Sequence, residues 1–116
     1  MRKMKDLFTE NERVWFYITP EWQQEFYEEL ISLKARFMNG EQIQADSIGT
    51  MMEVGRDGTT GYISNMVWYY SFFSSADMYI KVDYGKYRSG ADGYLITVPN
   101  IHPVSFEKKD EERKKF

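Results

Sequence analysis

The stretch RVWFYITPEW, residues 13–22, decides the fold because it changes from strand-forming residues to a helix start signal. Val14, Phe16 and Ile18 would share one face of a strand, and the aromatic residues between them would share the other. Both faces are apolar, which is typical of a strand that a helix covers on one side. The first part of this stretch therefore predicts a strand over residues 13–18.

A long helix is predicted directly after this strand. Thr19 suits the N-cap position, and Pro20 suits the first helical position, where its missing N–H costs nothing. The apolar residues that follow recur at spacings of three and four, as on one face of a helix: Trp22, Phe26, Leu30, Leu33 and Phe37. Asn39-Gly40 supplies a stop signal. The pattern predicts a helix over about residues 20–38.

Four further strands are predicted after the helix. Residues 48–54 alternate in polarity, and residues 55–58 end in Asp-Gly, a strong hairpin turn signal. Residues 66–73 are apolar on both faces, so periodicity leaves strand and short helix open, and the aromatic density favours a strand. Residues 78–84 alternate clearly, and residues 94–98 form a last strand that a proline ends.

These elements predict one α+β domain. The expected fold is one long helix packed on a mostly antiparallel sheet of about five strands, in the order β-α-β-β-β-β. The chain has 116 residues, a length that suits one domain, which we assign to residues 1–106. Every residue from Glu107 to Lys115 is charged, so residues 107–116 are expected to form a mobile tail.

Composition narrows the classes of function. The chain has no cysteine, which excludes disulfides and thiolate chemistry, and we expect neither a signal peptide nor a membrane span. We therefore expect a cytoplasmic protein. The formal net charge of −3 disfavours duplex nucleic acid as a partner. The small acidic domain, aromatic residues and charged tail are typical of bacterial and phage accessory proteins.

Residues for catalysis or metal binding are few. His102 is the only histidine, and we expect it to be a loop residue because neither a second histidine nor a cysteine accompanies it. Glu25, Glu28 and Glu29 are expected to be solvated charges on the helix. The glycines of residues 55–61 could form a phosphate cradle, but the Asp-Gly pair favours a hairpin tip. We predict no catalytic residue, no metal and no cofactor.

Aromatic and basic residues interleave around the predicted hairpin of residues 78–94. Tyrosine and arginine are enriched where proteins contact one another. The residues predicted to bind a partner are Tyr79, Lys81, Lys86, Tyr87, Arg88 and Arg56. The resulting hypothesis is a non-catalytic interaction or regulatory module that binds an unidentified protein, or a second copy of itself, through an aromatic sheet surface.

Two alternatives remain open at this point. A small-ligand-binding domain or minor enzyme would use an aromatic pocket between helix and sheet, lined by Trp22, Trp68, Tyr69 and Tyr70. A single-stranded nucleic acid could instead stack its bases on the tyrosines of residues 78–94 while nearby cations hold its phosphates.

Overall fold

A computed structural model describes residues 2–74 and 79–99 of the chain. The strands are β1 (Arg13–Tyr17), β2 (Arg36–Phe37), β3 (Met51–Gly55), β4 (Thr59–Tyr62) and β5 (Ile80–Asp83). The α-helices are α1 (Gln23–Ser32), α2 (Asn65–Ser71) and α3 (Tyr84–Ser89). Short 3-10 helices span Met4–Thr9, Pro20–Trp22 and Ala45–Ser47. The described part of the chain is an α+β fold.

The five strands form one mixed sheet in the order β2-β4-β3-β1-β5. β3 is antiparallel to both β1 and β4, whereas β5 runs parallel to β1 and β2 runs parallel to β4. The prediction of a mostly antiparallel sheet was therefore wrong. A strand that follows the previous one through a tight turn pairs with it in the antiparallel direction. Because α2 lies between β4 and β5 in the chain, β5 is free of that constraint and pairs with β1 in the parallel direction.

The predicted helix over residues 20–38 is much shorter than expected. Its first turn is a 3-10 helix, and α1 ends at Ser32. Lys34 adopts a positive φ of 57°, and the N–H of Ala35 bonds the carbonyl of Leu30 at 2.9 Å, which closes the helix end. Arg36 then donates its N–H to Gly58 at 2.8 Å, so pairing with β4 takes over from the helix.

One stretch predicted as a strand is a helix instead, and a second helix follows the predicted strand of residues 78–84, which contains β5. The hydroxyl of Ser64 accepts the N–H of Val67 at 3.1 Å and caps α2, so residues 66–73 are not a strand. Asp83 caps α3 by accepting the N–H of Lys86, so residues 78–94 are not a simple hairpin. In the predicted strand of residues 94–98 the structure shows a single bridge, from Leu95 to Val82.

Side chains that alternate along β1 enter two cores on opposite faces of the sheet. Val14 and Phe16 pack with Phe26 and Leu30 of α1 in the larger core. Trp15 packs in the smaller core, and its indole lies 6.2 Å from that of Trp68 in α2. The two apolar faces of β1 were predicted correctly, but both faces are covered rather than one.

Several predictions fall on residues outside the described ranges. These include Met78 at the start of the predicted fourth strand, His102, and the charged tail of residues 107–116. No helix in the described part of the chain combines the length and apolar character needed to cross a bilayer.

Candidate functional site

Five of the six residues predicted to bind a partner lie at two ends of the sheet, and the sixth, Lys81, lies within β5. Arg56 follows Gly55, which pairs with Arg13 at the start of β1. Tyr79 precedes Ile80, which pairs with Val14 at the same end. Lys86, Tyr87 and Arg88 belong to α3, which follows the opposite end of β5. The fold therefore does not bring the set together on one surface.

Three of these six residues are buried. Arg88 is 8% exposed, and the Tyr87 hydroxyl donates to the carbonyl of Lys3 at 2.8 Å. Lys81 is 7% exposed, and its ammonium lies 5.1 Å from the ring centre of Trp15 and 4.8 Å from that of Phe72. These side chains stabilise the fold, which leaves Tyr79, Lys86 and Arg56 as the exposed members.

A buried polar network surrounds Glu29. Its Oε1 atom accepts hydrogen bonds from the Tyr84 hydroxyl at 2.6 Å and from Arg88 Nη1 at 2.8 Å. Its Oε2 atom accepts the backbone N–H of Met4 at 2.7 Å. Burial, together with the bond to Glu29, raises the pKa of Tyr84 above its ordinary value. Both carboxylate oxygens are thus satisfied, as a structural role requires.

The prediction that Glu29 is a solvated charge was wrong. The signal was present in the sequence, because Glu29 stands three residues after Phe26 and one before Leu30, next to the apolar stripe. A pocket of about 270 Å³ lies beside the network, and its charged lining includes Lys3, Glu25 and Arg88. Among the described residues, no cluster of histidine or acidic side chains could hold a metal ion.

The Asp57 side chain in the turn of residues 55–58 is hydrogen-bonded to other residues of the protein. Asp57 Oδ1 accepts both the N–H of Thr59 at 3.0 Å and its hydroxyl at 2.6 Å. The hydrogen bond from the Thr59 hydroxyl is the main cause that lowers the pKa of Asp57 below its ordinary value. Arg13 bonds Glu53, Asp57 and Thr59. The turn joins β3 to β4, as the Asp-Gly pair predicted.

The aromatic pocket considered as an alternative is not assembled. Trp22 packs against the larger core, where it meets Tyr84 edge-on at 6.2 Å. Trp68 belongs to the smaller core on the other face of the sheet. Because the sheet separates these two indoles, they cannot line one pocket together with Tyr69 and Tyr70.

Exposed apolar residues of α2 and of the turn that follows it form the most distinctive surface that sequence reasoning missed. Met66, Val67, Tyr70 and Phe73 are between 41% and 68% exposed. We name these four residues the α2 outer face. Trp68 and Phe72 point the other way and pack into the smaller core. The face was missed because the stretch was assigned to a strand, although Ser64 was available as a helix cap signal.

The α2 outer face lies in a stretch without charge. From Gly58 to Ala76 the sequence contains no charged residue, although 28% of the chain is charged. Exposed apolar side chains that cluster on one face commonly mark contact sites.

Comparison of the chain with protein-family models, with curated proteins and with solved structures finds no match. Support for a function therefore comes from the geometry of the exposed surfaces alone.

Proposed function

We propose that this protein is a non-catalytic interaction module whose α2 outer face binds a protein partner. The spacing of the exposed residues supports this proposal. Met66, Tyr70 and Phe73 stand at positions i, i+4 and i+7, so they lie on one side of the helix and its first following turn. An amphipathic helix that docks in a groove uses this same set of anchor positions.

The residue types of the α2 outer face also fit a contact surface. Aromatic residues and methionine are enriched in the core of protein interfaces, and charged residues are depleted there. The uncharged stretch from Gly58 to Ala76 satisfies both conditions. The proposed contact surface therefore lies on a helix, whereas the sequence predicted a contact surface of tyrosines and basic residues on the sheet.

The occupant that we propose is a partner protein with an apolar, uncharged groove. Aromatic side chains bury about 150–250 Å² each, so the exposed parts of Tyr70 and Phe73 together offer on the order of 250 Å², to which Met66 and Val67 add. A standard interface buries about 800 Å² per partner. A second copy would meet this convex helix along a line, whereas a groove would also contact the flanks of the helix and so bury more area.

The setting of this activity follows from composition. The absence of cysteine suits a reducing compartment, and we propose the cytoplasm of a bacterial host as the location. An accessory or regulatory role is proposed for the same reason that catalysis is not: the described residues present exposed rings, while Tyr84 and Arg88 are both hydrogen-bonded to Glu29.

The test compares two variants that add exposed lysines. Tyr70→Lys combined with Phe73→Lys places charge on the α2 outer face, and Ile31→Lys places charge on α1, where Ile31 is 41% exposed. Proteins captured from a host lysate by the wild-type chain are purified and titrated against each variant. We expect the double variant to weaken binding at least about 30-fold, the effect of losing a hot spot, and Ile31→Lys to leave binding unchanged.

Two results would contradict the proposal. One is a purified partner that binds the double variant as tightly as the wild type. The other is a wild-type dimer in light scattering that the double variant converts to a monomer, since a second copy would then occupy the face.

A further inference from the structure

A groove separate from the α2 outer face lies at the β2–β4 edge of the sheet. It has a volume of about 790 Å³, within the range of about 300–1,000 Å³ that is usual for ligand pockets. The side chains that matter for its chemistry are Phe37, Met38, Asn39, Gln42, Gln44 and Tyr62. We name this feature the Tyr62 groove.

Tyr62 presents a ring that is both exposed and held in place. The residue is 61% exposed, yet its hydroxyl donates to the carbonyl of Ser47 at 2.6 Å. Its ring centre lies 5.5 Å from that of Phe37, and its Cδ1 atom is so close to Gly49 that an added Cβ would lie at 3.1 Å. A fixed ring loses little conformational entropy when a ligand stacks on it, which favours binding.

Amide side chains share the lining of the groove with this ring. Each amide offers one acceptor oxygen and two donor hydrogens. The side chains of Gln42 and Gln44 form no hydrogen bond with any described residue, and Asn39 uses only its Oδ1 atom, which accepts the N–H of Glu41 at 2.9 Å. The groove therefore presents uncommitted donors and acceptors side by side, which is the combination that hydroxyl groups require.

The charge of the lining selects against ions. Among the residues that the structure describes, Glu41 is the one charged residue in the lining, and no lysine, arginine or histidine contributes to it. A phosphate or carboxylate would find no cation there and would meet a carboxylate instead. The chemistry thus favours a neutral ligand.

The backbone at the groove favours a sugar over a peptide strand as the ligand, because it offers polar groups but only a short open edge. Tyr62 stands opposite Met52 in β3, and because Ile63 bonds Met51 across the same ladder, the N–H and C=O of Tyr62 point outward toward the groove. Neither group bonds another residue in the ranges 2–74 and 79–99. β2 already pairs with Thr59 and Thr60, so the open edge is too short for strand addition.

We propose that the Tyr62 groove binds a neutral carbohydrate. One face of a sugar ring carries C–H groups, which pack on the electron-rich face of the Tyr62 ring. The hydroxyl groups at its rim bond the amides of Gln42, Gln44 and Asn39, together with the outward N–H and C=O of Tyr62.

The experiment titrates the ¹⁵N-labelled chain with neutral sugars and follows the backbone amides by NMR. The probes are glucose, galactose, mannose, N-acetylglucosamine and their dimers. Tetraalanine with an acetylated N-terminus and an amidated C-terminus, which carries no charge, serves as the neutral peptide. We expect at least one sugar to shift the amides of Gly61, Tyr62 and Gln42 in a saturable way. Tyr62→Ala should weaken binding at least tenfold, and Gln44→Ala, an exposed position with no cost to folding, should weaken it severalfold.

The outcomes separate this site from the proposed partner surface. The Tyr70→Lys, Phe73→Lys variant should bind the sugar as the wild type does, because its substitutions lie outside the groove. The proposal is overturned if no sugar shifts these amides at millimolar concentration, or if tetraalanine shifts them and the sugars do not. It is also overturned if Tyr62→Ala and Gln44→Ala both retain wild-type affinity for the sugar.

Discussion

Glu29 and Arg88 form a buried ion pair in which Arg88 Nη1 lies 2.8 Å from Glu29 Oε1. Glu29 belongs to α1 and Arg88 to α3, so the pair joins two helices that are distant in sequence. The hydroxyl of Tyr84 and the N–H of Met4 complete the carboxylate's hydrogen bonds. The Glu29 side chain therefore connects α1 to α3 and to the N-terminal segment that contains Met4.

The first prediction concerns removal of the buried carboxylate. Glu29→Ala leaves the guanidinium of Arg88 buried without its partner, which should lower the free energy of unfolding by about 3–5 kcal/mol. Glu28→Ala, one position earlier and exposed, should change it by less than about 0.5 kcal/mol. Urea unfolding followed by circular dichroism measures both. Equal stabilities of the two variants would show that the pair does not stabilise the fold.

The second prediction concerns alkaline pH. The pKa of Tyr84 is raised from 10.0 by burial and by its bond to Glu29, so unfolded chains lose this proton first as the pH rises. The stabilisation is fully present below pH 10 and falls above it by about 1.4 kcal/mol per pH unit. Tyr84→Phe should remove this part of the slope. Urea unfolding between pH 9 and about 11 measures it, and identical slopes for wild type and variant would contradict the assignment.

The third prediction concerns the contact between α3 and Trp22. A Cβ at Gly85 would lie 2.6 Å from Trp22 Nε1, so Gly85→Ala forces the indole to move. Overpacking costs about 1–3 kcal/mol, which should outweigh the gain of about 1 kcal/mol that alanine brings to a helix. Gly61→Ala is the control, because its Cβ would meet Met38 only at 3.7 Å.

A double-mutant cycle sharpens the Gly85 test. In a Trp22→Val background the obstructing ring is gone, so Gly85→Ala should no longer destabilise the protein and the helix propensity gain should appear. The same loss of stability in both backgrounds would mean that the indole is not the obstacle.

The fourth prediction separates the two sides of α2. Trp68 is fully buried and stacks on Trp15, so Trp68→Ala should cost about 3–5 kcal/mol. Tyr70→Ala, on the exposed side of the same helix, should cost less than about 0.5 kcal/mol. Thermal unfolding of the two variants measures the difference. A large loss from Tyr70→Ala would place that ring in the fold rather than on a contact surface.

Residues 66–73 show why local pattern could not assign every element. Their apolar side chains occupy every face, so periods of two and of 3.6 describe them equally well. Burial decided between the two. In a strand Tyr70 would share the face of Trp68 and Phe72, yet Tyr70 is 55% exposed while Trp68 is fully buried, as on opposite sides of a helix. The choice between strand and helix also determines which side chains are exposed. The apolar pattern of residues 66–73 alone therefore could not locate the α2 outer face.

Local chemistry alone determined the strand of residues 13–17, a helical turn from Pro20 and the Asp-Gly hairpin, because each depends on neighbours a few residues apart. The turn from Pro20 is a 3-10 helix, and the Thr19 side chain does not cap it. Tertiary structure decided the early end of α1, the parallel pairing of β5 with β1, and the burial of Lys81 and Arg88. Each of these depends on partners distant along the chain, such as Gly58 for Arg36 and Glu29 for Arg88. The free energy of those long-range contacts outweighs local preference, and no local pattern encodes it.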